Sequence, residues 1–184
     1  MVRALLILLL ASSGCRAQSG EWQLPLRQFT PGALSVDINE STMACTICSS
    51  NWTTARVRPP SSFTTALKAR QLRTTYASFV ERWGANLSAY EEDHLVRAAP
   101  RPRNARLADF CAQVPLEIGG HPRSELNLWP QPRKSIHGGN EAEKKDALEN
   151  RLQELVCTGA VRLREAQQAI AANWSAAYER YMHL

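Results

Sequence analysis

The chain has 184 residues, with 22 Lys and Arg against 17 Asp and Glu, for a formal net charge of +5. That length suits one domain with a single core. The mild basicity is compatible with an anionic partner such as nucleic acid and equally with an ordinary soluble protein. After the first apolar run, Ala4 to Ala11, no segment approaches the roughly 20 apolar residues that a spanning helix needs, which argues against a multi-span membrane protein.

Arg3, the short apolar run and the small residues up to Ala17 have the layout of a secretory signal peptide cleaved after Ala17. The expectation is a secreted protein without stable membrane association; a lipid anchor on Cys15 is the lesser alternative, because Ser12 replaces the usual aliphatic residue. Residues 18–45 carry Pro25, Pro31 and Gly32 and little periodicity, and are expected to be a leader or linker. β-formers follow up to Pro59-Pro60, where a helix over 62–75 is predicted, capped by Ser61 or Ser62, with Phe63, Leu67 and Arg70-Gln71 on one face. Residues 76–90 are expected to be part helix and part loop, closing with Gly84 and a short strand that ends in Asp93-His94.

A turn at Gly119-Gly120 and a returning strand at Asn127-Leu128-Trp129 come next. Asn140 is positioned to cap a helix over 141–157, with Glu141 and Glu143 in its first turn and Leu148, Leu152, Leu155 and Val156 as its apolar stripe. Lys145, Glu149 and Gln153 share another face, with Asp146 and Asn150 beside them. That pattern suits either oxygen ligands for an ion or a solvated face with i,i+4 ion pairs. Gly159 ends this helix, and another over 163–180 carries Leu163, Ala166, Ile170 and Trp174 on one side. Asn39, Asn51, Asn86 and Asn173 each begin a glycosylation sequon.

Cys45, Cys48, Cys111 and Cys157 remain once Cys15 leaves with the signal. Without a second Cys-x-x-Cys or a nearby His, a disulfide is expected rather than a structural zinc. A carboxylate beside a histidine, as in Asp93-His94, suits metal-assisted hydrolysis, although such a dipeptide is usually only structural. A protease built on Cys111 and His94 is set aside, since nothing around Cys111 would activate a nucleophile.

Taken together, "ICSSNWTTARVRPP", "EEDHL", "PLEIGGHPRSELNLWPQP", "KKDALENRLQELVCTG" and "LREAQQAIAANW" resemble consecutive motifs of small secreted bacterial HNH-like proteins, the His-Me finger or ββα-metal nucleases. The resemblance runs from about Thr46 to Tyr178 and implies an α+β fold, a ββα-metal core with flanking helices, over 46–184. It implies a monomeric, secreted endonuclease acting on DNA, RNA or both, with Asp93 as a metal ligand, His94 as general base and Asn127 orienting His94. Glu149, with Asn150 as second choice, would complete the ion site, and oxygen ligands favour Mg or Mn. Lys144, Lys145 and Arg151 would neutralise the nucleic-acid backbone, and Cys48 would pair with Cys157.

The chain departs from this family in two places. Gln153 stands where the family tends to carry His, and His137, ten residues after Asn127, is a substitute only if Gly138-Gly139 does not make it part of a loop. The pattern is also interrupted by Val96 to Gln113: joining Leu95 to Val114 restores it. The interruption is either a surface insertion or an intron retained in the reading frame, since its codons can carry both splice boundaries. The alternatives to a nuclease are a catalytically inactive HNH-like binding or structural protein, and a disulfide-stapled interaction protein of other ancestry.

Overall fold

A computed structural model describes residues 22–36, 38–49, 59–96, 120, 123–134 and 140–184. The expected signal peptide, nearly all of the interruption, Asn51, Cys111 and His137 lie outside the described residues. In chain order the principal elements are α1 (Ser61–Arg73), α2 (Ala77–Trp83), β1 (Tyr90–His94), β2 (Leu128–Pro132), α3 (Glu141–Cys157) and α4 (Leu163–Tyr181). The fold is α+β, with one antiparallel two-stranded sheet among the described residues. No described helix is long and apolar enough to cross a membrane.

The sheet is short for a reason visible in β2. Its register pairs Tyr90 with Pro132, Glu92 with Pro130 and His94 with Leu128. The flanking Leu95 amide donates to the Asn127 carbonyl at 2.7 Å, which makes the odd-numbered β1 positions the hydrogen-bonded ones. Pro130 and Pro132 therefore stand where an N–H would point outward, and that edge has no donors there for a third strand. The outward Leu128 carbonyl accepts instead from Gln71 Nε2 of α1 at 2.8 Å. On the opposite edge the Tyr90 carbonyl accepts from Lys68 Nζ at 2.9 Å. Helix α1 thus covers both edges with side chains three residues apart.

Helix α1 starts at Ser61 with Pro60 in the cap position and no side-chain cap, so the expected serine cap does not form. The Pro60 carbonyl instead accepts the first helical hydrogen bonds, from the Phe63 and Thr64 amides at 2.9 and 3.2 Å. Helix α3 begins as expected: Asn140 Oδ1 accepts from the Ala142 and Glu143 amides at 3.1 and 3.5 Å. It ends at Thr158 and Gly159, the latter at φ +78°, where the Val161 amide returns to the Leu155 carbonyl at 3.1 Å. Helix α4 is broken at Asn173, whose φ of −167° is extended. The Asn173 side chain accepts from the Ala176 amide at 3.0 Å and caps the remaining turns itself, a local competition open to Asn in mid-helix.

The predicted stripes Leu148, Leu152, Leu155 and Val156 and Leu163, Ala166, Ile170 and Trp174 are buried, and they pack α3 against α4. The expectation for residues 18–45 needs correction over 22–34, which are part of the folded body. Trp22 packs against Trp174, tilted, and Tyr178, edge to face, at 5.0 and 4.8 Å between ring centroids. Thr30 shares a 2.6 Å hydrogen bond with the buried Tyr76 hydroxyl. The polar and proline residues in this stretch hid its apolar anchors, which are spaced too irregularly to show a period. Cys48 and Cys157 form a disulfide with Cα atoms 5.3 Å apart, tying the segment before α1 to the end of α3.

Candidate functional site

Side chains alternate along a strand. Asp93 and Trp129 therefore share one face of the sheet, while Glu92 and His94 share the other. Asp93 points to α3. There Lys145, 1% exposed, donates to Asp93 Oδ2 at 2.6 Å, to the His94 carbonyl at 2.6 Å and to Glu149 Oε1. An ammonium has three N–H donors, and these three oxygens match them in number. Burial by itself would lower the Lys145 pKa; the Asp93 and Glu149 carboxylates outweigh it and hold the group above the ordinary lysine value.

Two of the expected ligands, Asp93 and Glu149, are thus brought together from a strand and a helix. Asn150 is exposed, about 100° further round α3. The expectation that Lys145 contacts a nucleic-acid backbone is corrected: its charge is enclosed, because the i,i+4 pair with Glu149 lies on the buried side of α3 and not on a solvated face. Helical periodicity placed Lys145, Glu149 and Gln153 on one face but could not say that this polar face turns inward. Lys144 lies 4.7 Å above the Trp22 ring, and Arg151 pairs with Glu154 at 2.6 Å. Gln153, one turn beyond Glu149, donates to the Ile47 carbonyl at 2.7 Å, beside the disulfide.

Asn127 is fully buried. Its Oδ1 accepts from the Val96 amide at 2.8 Å and its Nδ2 donates to the Val96 carbonyl at 2.6 Å. This two-point clamp fixes the backbone two residues after His94. Gly120 closes over the same place: a Cβ there would lie 1.8 Å from the Val96 carbonyl oxygen and 2.6 Å from Asn127 Nδ2. Only glycine permits that approach. The clamp explains why the quoted motif has both a glycine and an asparagine after the Asp-His strand. A chain joined from Leu95 to Val114 would also present a valine to it.

On the His94 face, sequence reasoning missed Glu92. Both its carboxylate oxygens are buried without a hydrogen-bond partner among the described residues. Burial pushes its pKa up to about 9, against the relief given by Lys68. The Lys68 pKa is in turn lowered by burial. The acidic run Glu91-Glu92-Asp93 gave no signal distinguishing its members; strand alternation and α1 do.

The three oxygens around Lys145 Nζ are hard donors converging on one point, a set that suits Mg or Mn better than a soft-ligand metal. Among the described residues there is no group of three or more His, Cys, Asp and Glu able to hold an ion; the third oxygen here is a main-chain carbonyl. Comparison of the chain with protein-family models, curated proteins and solved structures gave no significant match. The HNH-like reading therefore rests on the sequence motifs alone.

Proposed function

We propose that the protein is a secreted, metal-dependent endonuclease that hydrolyses phosphodiester bonds of DNA or RNA with His94 as general base. The observation that carries this reading is the convergence of Asp93 from β1 and Glu149 from α3, next to a histidine at the strand end. Asp93 and Glu149 would hold a divalent ion, which when bound supplies Lewis-acid polarisation of the phosphate. His94 takes a proton from the attacking water. Asn127 positions His94 through the main chain by clamping Val96, in addition to the ring contact that the family resemblance implies. Lys144 and Arg151 remain as contacts for the backbone phosphates, so binding is expected to weaken as salt rises.

A second reading, a catalytically inactive relative kept as a binding or structural module, is favoured by Lys145 standing between the carboxylates and by Gln153 in place of His. Plasmid DNA and a structured RNA incubated with the mature chain, with and without Val96 to Gln113, in Mg or Mn and in EDTA, separate the two. Metal-dependent cleavage that EDTA abolishes supports the nuclease. Absence of cleavage by both forms supports the inactive relative.

A further inference from the structure

Asp93 and Glu149 are drawn together by a cation that the chain itself supplies. Glu149 is 1% exposed and Asp93 19%, so without compensation their charges would repel in a poorly solvated pocket. Lys145 compensates one of the two charges and uses its three donors on Asp93 Oδ2, Glu149 Oε1 and the His94 carbonyl. The same three oxygens are the donors that a hard divalent ion would take. Ion and ammonium cannot occupy one point together. A divalent ion in its place would bring two positive charges to the two carboxylates, where Lys145 brings one.

We propose that Lys145 is an internal placeholder for the divalent ion: it lets the domain fold without metal, and it must leave the Asp93–Glu149 pocket when metal enters. The inference rests on the metal-dependent reading above and adds to it a competitor within the chain. Metal-ligand carboxylates otherwise tie folding to metal supply. A lysine that holds them removes that dependence and lowers the apparent metal affinity by the fraction of molecules in which it has swung out. His94 is coupled to the exchange, because its carbonyl is one of the three acceptors that Lys145 gives up.

The test uses the full mature chain with its disulfide intact. Lysine ammonium resonances of the wild type are followed by nitrogen-15 NMR without divalent ions and during titration with Mg, and Mg and Mn affinities are measured by calorimetry for wild type and Lys145→Met. The expected result is one exchange-protected ammonium signal, absent from Lys145→Met, that disappears from the wild type as Mg saturates. Lys145→Met should bind either ion at least about tenfold more tightly, as expected when the metal-competent state is a minor one, about a tenth or less, in the wild type. Its melting temperature without metal should fall, and added Mn should restore more of it than it adds to the wild type. If Lys145→Met does not fold, the wild-type titration decides. A protected ammonium signal that persists while metal binds overturns the placeholder and leaves the nuclease reading standing. A signal that persists while neither protein binds Mg or Mn overturns both.

Discussion

Replacing Glu92 with Gln removes a carboxylate whose burial opposes its charge. The ordinary glutamate value is 4.5, and burial raises it to about 9 in the folded chain. Between those values the folded chain holds a proton that the unfolded chain has released, so stability falls as pH rises. The contribution is fully present below about pH 4.5, declines by about 1.4 kcal/mol per pH unit and is exhausted above about pH 9. At about pH 7.5 the penalty is about 4 kcal/mol, as an upper bound, against a total of about 5–15 kcal/mol for a domain. Glutamine has the shape of the protonated acid and no such penalty. Urea unfolding of both proteins at about pH 5, 6.5 and 8 should therefore show Glu92→Gln near parity at the lowest pH and increasingly more stable above it. A stability difference independent of pH would refute the reasoning, because it would mean that Glu92 titrates alike in both states. So would a wild type that gains stability relative to Glu92→Gln as pH rises.

His94→Ala should reduce cleavage by about 10²–10⁴-fold while leaving the melting temperature near that of the wild type, and retention of metal-dependent cleavage by the purified variant would overturn its assignment as base. Replacing both Cys48 and Cys157 with Ser opens a loop of 109 residues in sequence separation. In the chain-entropy model that costs about 5 kcal/mol, read as a lower urea midpoint. Gly120→Ala forces a methyl group against the Val96 carbonyl, which the Asn127 amide holds in place, and should cost about 1–3 kcal/mol or more in the same assay. A neutral Gly120→Ala would show that the segment closes over Val96 more loosely than described.

Local chemistry in the sequence was enough to determine the helices. Asn140 followed by Glu141 and Glu143 announced the start of α3, Gly159 its end, and apolar positions three and four apart marked the faces of α3 and α4 that became core. These are near-neighbour effects, and no distant residue is needed to specify them. The Asp93-His94 strand and its antiparallel return through Leu128 were legible for the same reason, as two short strands; Gly119 of the expected turn lies outside the described residues. The kink at Asn173 was not, because nothing local tells whether an Asn within an apolar stripe continues the helix or caps a new one.

Pairings across the chain belong to the tertiary structure. Cysteine spacing left the disulfide open; the family resemblance named Cys48 and Cys157, and their approach required α3 to run beside the segment before α1. Residues 22–34 looked like linker because their anchoring groups, the half-buried Trp22 and the buried Thr30, have partners about 150 and 46 positions away. Glu92 and Asp93 are adjacent acids of similar chemistry. Strand alternation sends one beneath α1, where burial keeps it protonated, and the other to Lys145 on α3, where a buried cation meets it. Composition counted Lys145 among the surface charges, since lysine is rarely enclosed. Glu149 is its i,i+4 neighbour on α3, but only the packing of α3 against the sheet added Asp93 and the His94 carbonyl around its nitrogen, and that enclosed environment decides what the lysine does.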